Sequence, residues 1–238
     1  MKKYIILIPI YNDWKSVFKV LQEIDALISK WNSEVSVFII NDSSTEERPK
    51  IKFKFINIKL IKIINMKENR GHARCNAAGL KYLIEKENFD HVIVMDGDGE
   101  DRPEELTLLF NKSKENPSKT ITLDRVKRSE GFFFKLLYEC HKILTYIFTG
   151  KLIKFGNYSC MPKEVVSKLI KEACIWSSFS GSVTKIIKDR LSVPSVRGSR
   201  YFGPSKMPLT GLVIHSMSII ASFKYQVLFR SLLFIFLF

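Results

Sequence analysis

Short apolar runs alternate with longer stretches of helical spacing through the first half of the chain. Residues 4–8 are continuously apolar, and Pro9-Ile-Tyr11-Asn12-Asp13 then turns into a segment with apolar residues at Trp14, Val17, Phe18, Leu21, Ile24 and Ile28. This predicts a buried strand followed by an amphipathic helix, with Asn12 or Asp13 available as its cap. A second strand, over 35–40, runs into the polar turn Asn41-Asp42-Ser43-Ser44. Between 50 and 62 lysine interleaves with Phe and Ile, which predicts a half-exposed extended segment feeding a strand over 61–65. Asn69-Arg-Gly71-His-Ala-Arg74-Cys-Asn76-Ala-Ala-Gly79 opens a further helix whose free amides and dipole favour an anion. A strand over 92–95 follows, and Arg102-Pro103-Glu104-Glu105 suits a first helical turn.

Four strand–helix alternations predict an α/β fold, a mostly parallel sheet covered by helices. Ligands of such sheets bind at the C-terminal strand edge, where Asn12, Asp42, Arg74 and Asp96 fall. A later strand, over 119–123, ends in Asp124-Arg125-Val-Lys127-Arg128. This basic exit contrasts with the acidic one at Asp96, and the two together could accommodate two phosphorylated reactants.

The C-terminal part changes character. A helix over 131–150 is rich in apolar residues, but Lys135, Glu139 and Lys142 form a polar stripe that makes it a poor membrane span. It reads as a core or membrane-surface helix. An apolar stretch over 209–223 contains His215 and several serines, and beyond Lys224 and Arg230 the sequence closes in Ser-Leu-Leu-Phe-Ile-Phe-Leu-Phe. That ending is far short of the roughly 20 residues a spanning helix needs. It suits interfacial burial, the opening turns of a truncated membrane helix, or a C-terminal helix docked on the core. The expected organisation is a catalytic domain over 1–205 and a juxtamembrane amphipathic segment over 206–238.

With 238 residues and 46% apolar composition, one sizeable core is sufficient. The formal charge of +14 suits nucleic acid, anionic lipid or phosphorylated substrates. In the 50–62 segment the aromatics lie opposite the lysines, which speaks against nucleic acid. Cys75, Cys140, Cys160 and Cys174 form no Cys-x-x-Cys pair, which argues for a reducing compartment. No N-terminal signal peptide is expected, because Met1-Lys-Lys leads directly into a strand.

The most informative chemistry lies in Asp96-Gly-Asp98-Gly-Glu100. Carboxylates at alternate positions of an extended strand end point the same way, and with Glu100 they can hold a hard cation, Mg²⁺ or Mn²⁺, that in turn holds a diphosphate. Neither a Gly-x-Gly-x-x-Gly turn nor a Gly-x-x-x-x-Gly-Lys-Ser/Thr loop is present, which removes the main support for dinucleotide and P-loop readings.

Taken in order, these motifs resemble the family 2 glycosyltransferases of the GT-A fold, in particular the polyprenyl-phosphate glycosyltransferases that include dolichol-phosphate mannosyltransferase. Ile8-Pro-Ile-Tyr11-Asn12-Asp13 is similar to the family's Pro-x-Tyr-Asn-Glu, and Asn41-Asp42-Ser43-Ser44 to its Asp-Asp-Gly-Ser. Asn69 to Asn76 resembles its Asn-x-Gly-x-x-x-Ala-Arg-Asn region, and Asp96-Gly-Asp98-Gly-Glu100 its metal motif, followed by Pro103-Glu104. Arg125-Val-Lys-Arg128-Ser-Glu-Gly-Phe-Phe-Phe-Lys135 resembles the acceptor-phosphate segment, and Arg200-Tyr-Phe-Gly-Pro-Ser205-Lys206 the juncture before the juxtamembrane helices.

The resemblance implies that Asp42 accepts from the nucleotide base, with Pro9, Tyr11 and Asp13 lining the pocket, and that Arg74 sits near the diphosphate. It implies Asp96, Asp98 and Glu100 as metal ligands, Asp96, Asp98, Arg125 and Arg128 as the catalytic set, and Lys135, Ser205 and Lys206 as further substrate contacts. The partners implied are a UDP- or GDP-sugar, a polyprenyl phosphate and the cytoplasmic membrane face; a homo-oligomer is compatible with the sequence.

The chain departs from the pattern at Asn41, Ser43 and Asp13, and at Asn157 and Ser159, where many relatives carry an acidic residue and an arginine. A hydroxyl acceptor needs a general base, whereas a phosphate monoester, with a second pKa of about 6, is largely dianionic at neutral pH. The missing acid therefore favours a lipid-phosphate acceptor. Transfer to a sugar hydroxyl, with Asp124 or Asp101 as base, is the alternative within the enzyme class. Outside it stand a nucleotide-sugar-binding protein without turnover and a basic peripheral-membrane scaffold.

Overall fold

The computed structural model describes residues 1–50, 53–127, 132–204 and 209–237; the side chains at 127, 132–138 and 209 fall outside that description. The strands are β1 (Lys3–Ile10), β2 (Glu34–Asn41), β3 (Leu60–Asn65), β4 (His91–Val94), β5 (Thr120–Lys127), β6 (Phe155–Pro162) and β7 (Arg190–Val196). They form one seven-stranded sheet in the order β3-β2-β1-β4-β6-β5-β7. Pairing is parallel for β1 with β2 and β4, β2 with β3, and β5 with β7; β6 runs antiparallel to both β4 and β5. The expected mostly parallel α/β architecture is therefore present.

Burial on both faces explains why the first strands read as unbroken apolar runs. Along β1, Tyr4, Ile6, Ile8 and Ile10 pack on one side with Val17, Leu21 and Ile24 of α1 (Trp14–Ile28). Ile5 and Leu7 face the other side with Leu80 and Leu83 of α2 (His72–Lys86). α3 (Leu106–Glu115) joins the first layer, and α5 (Lys163–Leu169) and α6 (Phe179–Ile186) join the second.

Two local expectations need correction. Residues 53–59 do not run as a regular extended segment; sheet pairing begins only at Leu60. Phe53 and Phe55 pack on the core, while the Asp25 carboxylate accepts the backbone N–H groups of Ile56, Asn57 and Ile58 and fixes an irregular loop. The fifth strand is also longer than its apolar run, because Asp124 and Arg125 continue to pair with Pro194 and Ser195 of β7. Cross-strand partners, invisible to local periodicity, extend it.

α4 (Phe132–Thr149), α7 (Leu209–Ala221) and α8 (Lys224–Leu237) pack on one another. Arg230 Nη1 donates to the Ile147 carbonyl at 3.1 Å, fastening α8 to α4. α7 and α8 are bent by 85° at their junction, and among the described residues no single helix is long and apolar enough to cross a membrane. Their outward faces carry Leu212, Val213, Ile214, Met217, Leu228, Phe229 and Phe236, all exposed.

Candidate active site

β4 ends at the centre of the sheet, and its chain turns at once into the acidic loop 96–101. Asp101 Oδ2 accepts the Asp96 N–H at 2.9 Å, and Asp98 Oδ1 accepts the Glu100 N–H at 2.9 Å, so two carboxylates help to shape the loop that carries them. Gly99, at φ 93°, occupies the left-handed region the reversal requires.

Each carboxylate has its own cationic or polar neighbour. Asp96 Oδ1 lies 2.9 Å from His72 Nε2, at the start of α2, and accepts from Asn157 Nδ2 of β6 at 3.1 Å. Arg125 from β5 reaches Asp101 at 3.4 Å and stands 4.0 Å from Asp96. Arg200 lies 2.6 Å from Asp98 and also pairs with Asp13, and Arg197 pairs with Glu100. Five carboxylates and three guanidiniums, with one imidazole, thus meet at the C-terminal strand edge.

The electrostatics follow from this crowding. Burial, then the charges of Asp96 and Glu100, push Asp98 up to about 7, and burial with Asp96 pushes Asp101 up to about 6. Burial also acts on Asp96 in that direction, but His72, Arg125 and Arg197 outweigh it and hold that carboxyl well below its ordinary value. His72 is raised, because the carboxylates, Asp96 foremost, overcome the opposing effect of its burial. His215 of α7 is lowered to about 4 by burial and then by His72 and His141, with Asp96 and Arg125 also acting on it.

The sequence-predicted residues divide into groups. Asp96, Asp98, Glu100 and Arg125 come together, and Asp13 joins them through Arg200. Pro9 is buried at the end of β1, with Tyr11 half-buried just beyond it. Asp42 is buried, and its two oxygens accept the N–H groups of Arg70 and Gly71 at 2.9 and 2.8 Å, fixing the entry to α2. Arg74 is exposed and donates to the Arg70 carbonyl at 3.3 Å, with no contact to the acidic loop. Arg128, Ser205 and Lys206 lie outside the described residues, as does the side chain of Lys135.

The expected metal triad is not formed as such. Hard carboxylate oxygens suit Mg²⁺ or Mn²⁺, but among the described residues no group of three His, Cys, Asp or Glu is placed to hold an ion. The physical reason is that Asp96, Asp98 and Glu100 each turn to a different cationic partner.

Sequence reasoning missed His72, Arg197 and Arg200 as site residues, and it treated Asn157 only as a departure. The signal for the arginines was a basic pair around a glycine, Arg197-Gly-Ser-Arg200, directly after a strand. His72 shares a helix face with Cys75 in sequence, yet the buried Cys75 thiol donates to the Ile40 carbonyl and does not join it.

The model of the family described as glycosyl transferase family 2 matches residues 5–181. The chain is 24% identical over 230 residues to the uncharacterized glycosyltransferase YkcC of Bacillus subtilis (strain 168), covering 94% of this chain and 69% of that protein. It is 23% identical over 220 residues to the undecaprenyl-phosphate 4-deoxy-4-formamido-L-arabinose transferase of Klebsiella pneumoniae subsp. pneumoniae, covering 90% of this chain and 65% of the relative. The chain thus spans about two thirds of the length of these relatives.

Among solved structures, the fold is similar to glucosyl-3-phosphoglycerate synthase from Mycobacterium tuberculosis in complex with Mn²⁺, UDP-glucose and phosphoglyceric acid. That likeness has a TM-score of 0.63 and 14% identity, covering 95% of this chain and 80% of that one. Staphylococcus aureus TarS with UDP-GlcNAc is also similar, at TM-score 0.51 and 16% identity, covering 95% and 72%. The ordered motifs, the sheet and the matched span agree: this protein belongs to glycosyl transferase family 2 and is a glycosyltransferase of the GT-A fold.

Proposed function

We propose that the protein transfers one sugar, with inversion, from a nucleotide-diphosphate sugar to a polyprenyl phosphate at the cytoplasmic face of a membrane. The observation that carries this reading is the position of α7. It packs on α6 of the second helical layer and turns Leu212, Val213, Ile214 and Met217 outward. A catalytic fold that carries an apolar helical surface suits an acceptor whose phosphate reacts while its tail stays in lipid. The undecaprenyl-phosphate transferase among the relatives supports the same acceptor class.

Residue 157 supports it further. The family pattern that this segment resembles has an acid here, whereas Asn157 hydrogen-bonds Asp96 and cannot act as a base. Asp101 is buried and held by Arg125 and the Asp96 N–H, and Asp124 lies within β5 near the Thr122 hydroxyl. A dianionic phosphate oxygen attacks the anomeric carbon without a base, and the donor's anomeric C–O bond breaks towards its diphosphate. Arg125 is suited to hold the acceptor phosphate in line, and the remaining guanidiniums can offset the charge growing on the leaving nucleoside diphosphate.

In this proposal residues 1–205 are the catalytic domain and 206–238 a membrane-proximal segment. The test is release of nucleoside diphosphate from a panel of UDP- and GDP-sugars, with and without a short-chain polyprenyl phosphate in detergent. Release that depends on the lipid phosphate supports the proposal. Donor binding without lipid-stimulated release contradicts it.

A further inference from the structure

Residues 197–201 cross the acidic loop as a strap. The Gly198 N–H donates to the Glu100 carbonyl at 2.8 Å and the Tyr201 N–H to the Asp98 carbonyl at 2.9 Å, which ties the main chains together at two points. The approach is close enough that a Cβ on Gly198 would lie 2.6 Å from the Gly99 carbonyl oxygen. Beyond the loop, the Tyr201 hydroxyl bonds Glu23 of α1 and its ring lies 4.0 Å beneath the Lys19 ammonium.

The strap also delivers charge. Arg197 pairs with Glu100, and Arg200 spans Asp98 and Asp13, with the Arg200 and Asp98 side chains only 14% and 13% exposed. Two carboxylates that the sequence offers to a divalent cation are therefore neutralised from within the chain, which accounts for the absence of a three-residue chelate among the described residues.

We propose that this strap is an internal counter-ion latch: Arg200 holds Asp98 in the donor-free protein, and a divalent cation reaches that carboxylate only by displacing the guanidinium. The proposal rests on the glycosyl-transfer reading only in taking the acidic loop as the donor side; the competition itself requires no turnover. A cation arriving alone must break a charge-assisted pair in a partly desolvated site. A nucleoside diphosphate arriving with it gives the freed guanidinium a new anionic partner. Cation and nucleotide therefore bind cooperatively, and by linkage each tightens the other.

The test is a Mn²⁺ titration of the full chain followed by the EPR signal of the free ion, with and without UDP, for the unaltered protein, Arg200→Gln and Asp13→Asn. Each variant is first checked for an intact thermal transition. The unaltered chain is expected to bind Mn²⁺ weakly alone and about tenfold more tightly with UDP, a difference of about 1.4 kcal/mol. Arg200→Gln is expected to bind Mn²⁺ alone about tenfold more tightly than the unaltered chain, with the UDP enhancement reduced. Asp13→Asn leaves Asp98 as the remaining carboxylate partner of Arg200 and is expected to bind Mn²⁺ alone no more tightly than the unaltered chain. Unchanged or weaker Mn²⁺ binding in folded Arg200→Gln, or tighter binding in folded Asp13→Asn, overturns the latch. Tighter binding in Arg200→Gln, without lipid-stimulated transfer, leaves the latch standing and removes the lipid acceptor.

Discussion

Arg125 Nη2 lies 3.4 Å from Asp101 Oδ1, joining β5 to an acidic-loop carboxylate whose side chain is only 4% exposed. Removing one partner of such a pair leaves an uncompensated buried charge. Arg125→Ala is expected to lose about 3 kcal/mol of stability in urea unfolding, and the double variant with Asp101→Asn to recover most of it. An unaltered midpoint in the single variant would show that Asp101 does not depend on this guanidinium.

The acidic loop also sets a pH dependence. Burial and the nearby Asp96 charge push Asp98 up to about 7 and Asp101 up to about 6 in the folded chain, against about 3.9 when unfolded. Between these limits the native state holds more protons, so stability falls as pH rises from about 4 to about 7. Asp96 is held low and acts oppositely, adding stability above its unfolded value that is lost in stronger acid. Asp98→Asn mimics the protonated acid. Because Arg200 keeps Asp13 as its partner, the variant is expected to melt about 3 °C above the unaltered protein at pH 7.5, with the difference fading near pH 4, and to abolish transfer. Melting below the unaltered protein at pH 7.5 would contradict this.

Ser43 explains one departure from the family pattern. Its φ is 58°, in the left-handed region, at the position where the motif it resembles has glycine. A side chain there costs about 1 kcal/mol. Ser43→Gly is expected to raise the melting temperature by about 2 °C, read by calorimetry. A fall of similar size would mean that the hydroxyl contributes more than the backbone strain removes.

The exposed apolar face of α8 gives a prediction for lipid binding. Phe229 and Phe236 are 69% and 85% exposed, so replacing both with Glu costs little folding energy. The double variant is expected to bind anionic liposomes about tenfold more weakly in co-sedimentation, with an unchanged melting temperature. Equal liposome binding would remove α8 from the proposed lipid-binding surface.

Much of the fold was legible because parallel strands buried on both faces leave uninterrupted apolar runs, as at Ile5 to Ile8 and Val92 to Met95. The C-terminal half of β5 was not legible, since Asp124 and Arg125 belong to the sheet only through their pairing with β7. At the site, Asp96, Asp98 and Glu100 stood out by spacing. Their partners His72, Asn157 and the Arg197–Arg200 pair come from three separate stretches of chain, and which charges meet across such separations is set by the fold, not by local spacing. Asp42 shows the converse: its motif was plain, but its engagement with the Arg70 and Gly71 amides depends on how α2 meets β2.

The proposed transfer is tested most directly by the mass of the product formed from a matched nucleotide sugar and a short-chain polyprenyl phosphate. The expected result is a lipid-phase product heavier than the acceptor by one glycosyl unit, linked through the phosphate and formed in step with nucleoside diphosphate release. Sugar recovered on a saccharide hydroxyl, with the polyprenyl phosphate unaltered, would contradict it.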